Sequence, residues 1–371
     1  MLSSETGHSS HAAGRSRRGP IRPLSENDLM QVTDLYQRVF GGTVQPALLK
    51  RIFFETPWRD DSLPSLAYED ERGRIIGCVG IMPRQMKFRG RAVRAAVGHH
   101  FMVDPSKRGT LAGVELARQF LRGSQDLALA EGNEFSRRIW EFLGGSVCLL
   151  YSFNWTRALR PAQYALTFLN HRGLSGAMAR TLNPLCRIVD GTLNVIPQRV
   201  FRFQPPEVLA DDLDVVTMLA FLSTFANGRS LQPVYDVPSL AWLIEVLEAK
   251  RHRGTLHKVA VRTAAGRPLG WYLYYLGPSG VAEVLQLGGK EESMGDVLNH
   301  LFYHAWQRGA VAATGPMDPG LCRTLSENHC VFHRTDNCWM LIHSRDERIV
   351  NTIQAGDAFL TRLEGEWWIA A

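Results

Sequence analysis

The sequence predicts an α/β protein in which a mixed, mostly antiparallel sheet flanked by helices is used twice. Three observations carry that expectation. Apolar residues switch repeatedly between strand and helix spacing along the chain. From Ile21 to Phe153 the order reads helix, helix, three strands that look antiparallel, then strand, helix, strand, helix, strand, so hairpins mix with crossover connections. The pattern then returns: Asp28, Leu29, Val32, Thr33 and Leu35 recur at identical spacing as Asp212, Leu213, Val216, Thr217 and Leu219, and Gly73–Gly77 (GRIIG) recurs as Gly266–Gly270 (GRPLG).

Residues 1–19 carry almost nothing apolar and are expected to be a disordered leader. Ser25 with Asp28 three residues on reads as a capping box, and Leu29, Val32, Leu35, Tyr36 and Val39 line one side of the helix behind it. A second helix is expected from Gln45 to Glu55. Ser65–Tyr68 and Ile75–Met82 are expected strands joined by the polar turn Glu69–Gly73, followed by a third, more polar strand over Met86–Arg94. Ala95–Val103 is a strand stopped by Asp104-Pro105. A helix begins at Leu111, Asp126–Ala130 is a short strand, and Asn133–Leu143 is a helix ended by Gly144-Gly145. Ser146–Phe153 is the next expected strand. Residues 157–204 read as a helical linker or subdomain. In the second copy, Trp271–Leu276 and Ala282–Leu287 are strands and Met294–Gln307 is a helix. The predicted organisation is thus a tail over 1–19, a first domain over 20–156, the linker over 157–204 and a second domain over 205–371.

Composition narrows the function class. The net charge is +6, of which Arg15, Arg17 and Arg18 against Glu5 supply +2 in the leader. The remainder is mild for a body of this size; it suits anionic small molecules, and a large nucleic-acid footprint is not expected. No apolar run reaches the roughly 18 residues that a membrane span needs, and no apolar core follows the N-terminal arginines, so a soluble, cytoplasmic protein is expected. The six cysteines are scattered, with no CxxC pair, and fit no metal pattern. Among the tryptophans, Trp155, Trp271, Trp306, Trp339, Trp367 and Trp368 are candidates to line a groove between the halves.

The stretch with most chemical content is Ala95–Arg122. Its strand runs into Lys107-Arg108-Gly109-Thr110, a basic turn, and then into a helix. Free N–H groups at a helix start, the positive end of the helix dipole and two cations together suit an anion such as a phosphate. The second copy has Gly288-Gly289-Lys290-Glu291-Glu292 at the equivalent place, where two acids would repel one.

These residues carry a family likeness. The element order of Ile21–Phe153, the stretch Val103-Asp104-Pro105-Ser106-Lys107-Arg108-Gly109-Thr110-Leu111-Ala112-Gly113, and Asn133 followed by Trp140 and Leu143-Gly144-Gly145 resemble the GNAT superfamily of N-acetyltransferases: its V-x-P strand end, its Arg/Gln-x-x-Gly-x-Gly/Ala pyrophosphate loop and its Asn-to-Gly helix. With the repeat, the chain is similar in layout to tandem-GNAT proteins such as Fem-type peptidoglycan aminoacyl ligases, mycothiol synthase and N-myristoyltransferases.

The resemblance implies acyl transfer from acetyl-CoA or another acyl-CoA to an amine or hydroxyl, by direct attack on the thioester, with a small molecule or a cell-envelope precursor as acceptor. It implies that the coenzyme pyrophosphate lies on Lys107, Arg108, Gly109, Thr110, Leu111, Ala112 and Gly113, the pantetheine arm along Phe101, Met102 and Val103, and that Asn133 and Trp140 stand near the arm. The chain departs from the family at Leu111, where a glycine is usual, and at Trp140, where a tyrosine often serves as general acid; an indole N–H donates a hydrogen bond but no proton. No carboxylate stands on the strand before Val103. The titratable groups there are His99 and His100, of which alternation lets at most one face the cleft. Tyr151 is the candidate replacement acid. Two other readings remain open: a ligase that takes its acyl group from aminoacyl-tRNA, and a non-catalytic acyl-CoA sensor or interaction module.

Overall fold

The computed structural model describes residues 20–173, 175–195, 203–225, 228–334 and 338–369. The expected leader over 1–19 and residues 196–202 of the expected linker lie outside them. In chain order the elements are β1 (Ile21–Pro23), α1 (Leu29–Phe40), α2 (Pro46–Phe53), β2 (Leu66–Glu69), β3 (Ile75–Phe88), β4 (Arg91–Val103), α3 (Ala112–Leu121), β5 (Leu127–Gly132), α4 (Glu134–Phe142), β6 (Ser146–Val147), β7 (Asn154–Ala158), α5 (Pro161–His171) and α6 (Gly176–Val195). The second half follows with β8 (Val208–Asp212), α7 (Val215–Phe225), β9 (Leu231–Pro233), α8 (Val237–Ala249), β10 (Thr255–Thr263), β11 (Pro268–Leu276), β12 (Val281–Gly289), α9 (Met294–Gln307), β13 (Ala312–Pro316), α10 (Cys322–Glu327), β14 (Val331–His333), β15 (Trp339–Ser344) and α11 (Glu347–Gln354).

Local chemistry sets most boundaries. The Asp28 carboxylate accepts from the Ser25 backbone N–H at 2.8 Å and from its hydroxyl at 2.7 Å, which fixes the entry to α1. The Asn133 side chain accepts from the N–H groups of Phe135 and Ser136 and starts α4. Two expectations need correction. The strands expected over Ile75–Met82, Met86–Arg94 and Ala95–Val103 are two long strands, β3 and β4, joined at Arg89 (φ 49°) and Gly90 (φ 84°). Two consecutive positive φ values make a two-residue hairpin turn of the type whose twist matches the strands. Pro83 does not interrupt β3, because it lies between the segments that pair with β2 and β9, where β3 has β4 on one side only. The strand expected over Ser146–Phe153 is limited to Ser146–Val147; Leu150–Ser152 is a helical turn.

The described residues form two sheets, in the orders β1-β2-β3-β4-β5-β15-β6, with β9 on the end of β3, and β14-β7-β13-β12-β11-β10-β8. Each is antiparallel except for one central parallel pair, β4 with β5 and β12 with β13. The halves trade a strand: β7 from the first lies beside β13, and β15 from the second lies beside β5. The sheets therefore do not divide the chain at the positions that the repeat suggests. The largest core cluster also joins them, with Met82, Val97 and Leu129 of the first sheet, Leu243, Trp271 and Leu285 of the second half, and Leu360, Leu363 and Trp368 of the C-terminal segment.

The exchange has a measurable consequence. Leu341 and Ile342 of β15 are fully buried against the first sheet. Leu341→Ala is expected to cost about 2–5 kcal/mol in denaturant unfolding. A chain ending at residue 156, which lacks β15 and leaves the β5 edge bare, is expected to aggregate in size-exclusion chromatography and to be recovered by co-expression with residues 205–371.

Candidate active site

The central parallel pair of the first sheet comes apart. Pairing runs from Ala95↔Leu127 to Gly98↔Ala130 and stops, while β4 continues to Val103 and β5 to Gly132. A bulge accompanies the parting: Gly80 pairs with His99 and Cys78 with Met102, so β4 holds one residue more than β3 between these pairs. His100 takes a left-handed backbone (φ 46°) there, and its N–H donates 2.8 Å to Glu366 Oε1 from the far end of the chain.

The basic loop lies at the outer end of this opening. Asp104 is buried and fixes the loop entrance: its N–H donates to Ile76 O, and its carboxylate accepts from the Ser106 N–H and hydroxyl and from Arg38. Burial raises the Asp104 pKa less than the Ser106 hydroxyl bond lowers it, and the group stays below the usual carboxylate range. Arg108, Gly109 and Thr110 are exposed, and the first turn of α3 presents the N–H groups of Ala112, Gly113 and Val114 beyond its own ladder. Leu111 is 67% exposed, with ordinary right-handed backbone, so its side chain does not turn into the core. Gly113 faces Val103, Phe101 and Ile139 at ordinary contact distances. Thus α3 packs closely on the end of β4, and loop and strand form one continuous surface.

The expected catalytic residues are distributed otherwise than the sequence suggests. His99 and His100 do not alternate: the bulge brings their Nδ1 atoms to 2.9 Å, and both rings pack against Phe53 on the helix side of β4. The His99 ring occupies the space where a side chain at position 80 would be, since a Cβ on Gly80 would lie 2.1 Å from it. Burial holds His99 well below its ordinary value, and burial together with the Lys250 charge holds His100 down at about 4. Both are neutral rings of the interior. Tyr151 sits in the helical turn, not on a strand; its hydroxyl donates 2.7 Å to Ala358 O and accepts 3.2 Å from Ala358 N. Burial pushes its pKa up, which suits a structural tie. Trp140 is buried, edge-on to Phe120 in the core beneath the sheet. Asn133 uses its side-chain oxygen as the cap of α4.

What the sequence reading missed comes from the C-terminal segment, residues 359–369. Arg84 Nη2 donates 2.7 Å to the Tyr235 hydroxyl and 3.1 Å to Leu363 O, while its guanidinium lies 3.9 Å over the Trp58 ring. The Tyr235 hydroxyl donates to Glu364, whose other oxygen accepts from the Thr361 N–H at 2.8 Å. So held, the segment passes between the sheets. Glu131, at the parted end of β5, accepts at 3.8 Å from the Cys338 thiol and stands against Gly365, where a Cβ would lie 2.2 Å from its Oε1. Burial raises the Glu131 pKa, and burial and the Glu131 charge raise Glu366 to about 8. Beside them a cavity of about 320 Å³ opens between the sheets; Glu131, Asn154, Thr156, His333, Arg362 and Trp367 are on its wall. In the sequence this segment shows itself through Trp367 and Trp368, candidates for a groove between the halves, with nothing to say which strands they meet.

Residues 20–133 match the family model described as "Acetyltransferase (GNAT) domain". Solved structures share the fold over most of the chain at low identity. A probable N-acyltransferase from Enterococcus faecalis is 10% identical, with TM-score 0.57, covering 87% of this chain and 71% of that one. A GCN5-related N-acetyltransferase from Anabaena variabilis is 11% identical, with TM-score 0.56, covering 86% and 71%. The Saccharomyces cerevisiae N-myristoyltransferase solved with bound myristoyl-CoA is 10% identical, with TM-score 0.51, covering 87% and 78%. No curated protein matches the sequence. Residues 20–133 are thus similar to a GNAT acetyltransferase domain, and the two sheets share their fold with these solved structures. Among the described residues no helix is long and apolar enough to cross a membrane.

The buried histidines make stability depend on pH. His100 titrates at about 4 when folded and near 6.5 when unfolded, so between these values the unfolded chain binds the extra proton. Its contribution is present above about pH 6.5 and is lost as pH falls towards 4, amounting to about 3 kcal/mol. Denaturant unfolding between pH 7 and 4 is expected to show that slope. His100→Asn, which tolerates the left-handed backbone, should flatten it.

Proposed function

We propose that the protein is an acyltransferase that moves an acyl group from acetyl-CoA or another acyl-CoA to an amine or hydroxyl acceptor, and that it belongs with transferases of groups other than aminoacyl groups. One observation carries this reading: β4 and β5 part after Gly98↔Ala130 and open onto the loop from Lys107 to Gly113 at the start of α3. An elongated thioester with a pyrophosphate at one end fits that line. The phosphates lie on the N–H groups of the α3 start beside Lys107 and Arg108. The arm runs along Phe101–Val103 and pairs with the strand edge that β5 leaves free, and the thioester reaches the bulge at His100. The yeast neighbour solved with myristoyl-CoA supports the ligand class.

The acceptor, a small molecule or a cell-envelope precursor, enters through the cavity between the sheets, where Arg362 has a buried Nη1 without a partner among the described residues. The nucleophile attacks the thioester carbonyl carbon, a C–N or C–O bond forms, the C–S bond breaks, and CoA leaves as a thiol once its sulfur has taken a proton. The protein supplies position and fixed dipoles in a partly dry site. The reading takes the protein as cytoplasmic.

Calorimetric titration with acetyl-CoA tests it. Binding is expected, and Arg108→Glu is expected to weaken it roughly tenfold, about 1.4 kcal/mol, through the phosphates. No heat at millimolar ligand overturns the reading and favours a ligase fed by aminoacyl-tRNA. Binding without thiol release in an acceptor screen favours a sensor. An unchanged dissociation constant in the Arg108 variant moves the site elsewhere.

A further inference from the structure

The reaction above needs a group to take the proton from the attacking nucleophile, and the side chains on β4 do not provide one. His99 and His100 are turned to the helix side, locked to each other and packed on Phe53. The hydroxyl of Tyr151 is held by both backbone groups of Ala358. A carboxyl group does stand at the bulge, but it is delivered by the C-terminal segment. Resting on the acyltransfer reading, we propose that Glu366 is the proton acceptor for the attacking amine, and that Glu131 is the residue that positions it.

The geometry is specific about place. Glu366 Oε1 lies 2.8 Å from the His100 N–H, at the residue where β4 bulges and where the thioester end of the ligand comes to rest. The cavity assigned to the acceptor has Glu131 on its wall, and Glu131 stands against Gly365, the neighbour of Glu366. Gly365 lets that approach happen, since a Cβ there would meet Glu131 Oε1 at 2.2 Å. Glu366 thus stands at the β4 bulge, one residue from Trp367 on the cavity wall. The segment that carries it is buried and anchored by Arg84, Tyr235 and Glu364, so its position is fixed before any ligand arrives.

The two carboxyl groups have unlike surroundings. Glu131 has the Cys338 thiol as a donor, with the Arg362 charge near it. Glu366 has the His100 N–H and faces the Glu131 charge. The other charged or titratable groups here are Cys338, held up at about 12, Arg362, lowered to about 10, and, behind the bulge, His99, His100 and Lys250, the last lowered to about 7 by burial. The pair therefore divides its roles, with a proton held on Glu366 at neutral pH and released as pH rises through about 8. In its ionised form Glu366 takes the proton from the nitrogen as the C–N bond forms. The electrons of the C–S bond leave with the sulfur, and the Glu366 carboxylic acid returns the proton to the CoA thiolate. A neutral amine and a thioester give an amide and a thiol, and Glu366 is regenerated.

The test follows CoA thiol release from acetyl-CoA between pH 5.5 and 9.5, with water and a panel of simple primary amines as acceptors, alongside calorimetric binding of acetyl-CoA. Wild-type release is expected to rise through a step near pH 8. Glu366→Gln keeps an oxygen for the His100 N–H but cannot take a proton. It is expected to bind acetyl-CoA within threefold of wild type, to lose roughly 10²-fold or more of the release rate, and to lose the pH step. Glu366→Asp is expected to restore part of both. Glu131→Gln removes the facing charge and is expected to move the step to lower pH, which a purely structural role would not do. Acetyl-CoA binding with Glu366→Gln at wild-type rate and profile overturns the assignment to Glu366 and leaves the acyltransfer reading standing. Binding with no thiol release at any pH in wild type overturns both and favours a sensor. No binding of acetyl-CoA by wild type overturns both.

Discussion

Much of this structure depends on one interruption of hydrogen bonding, the end of the β4–β5 ladder at Gly98↔Ala130. A parallel pair in the middle of a sheet has no reason to stop unless something else meets the released backbone groups. Here part of the answer is inside the chain. The left-handed backbone of His100 turns its N–H towards the Glu366 carboxyl group, and Glu131, the last residue but one of β5, stands against Gly365 of the same segment. The remaining free edge of β4 runs next to the start of α3.

The second sheet repeats the interruption. β12 and β13 pair only from Val281↔Ala312 to Glu283↔Thr314, and β12 also carries a bulge opposite Leu273 and Tyr274. There Val281, Glu283 and Thr314 are on the wall of the cavity between the sheets. The Arg362 N–H donates to Leu285 O, the Trp271 ring lies against Gly288 so closely that a Cβ would stand 2.3 Å from it, and Glu291 and Glu292 begin the helical turn before α9. The same kind of opening thus occurs in both sheets, and a single C-terminal segment touches both.

Exchange of β7 and β15 makes the halves dependent on each other. Each sheet is completed by the other half of the chain, and the main core cluster runs through both. The cavity between the sheets is therefore bounded by a rigid, shared frame. A site that must hold two ligands in register benefits from such a frame, because small errors in position cost much of the rate.

The sequence by itself determined what depends on neighbours along the chain. The capping box at Ser25, the cap at Asn133, the repeat of elements, the basic loop before α3 and the helix over Met294–Gln307 were all legible, because turn, cap and periodicity are local chemistry. It could not show that Arg89-Gly90 closes one long hairpin, since Arg is an unusual residue at positive φ. Nor could it show that His99 and His100 share a side, because a bulge is defined by its partner strand. Tertiary structure alone decided that a carboxylate more than 260 residues further on meets the bulge at His100. That contact depends on strand exchange and on the Arg84–Tyr235–Glu364 anchor, whose members lie far apart in the chain and carry no pattern to announce that they meet.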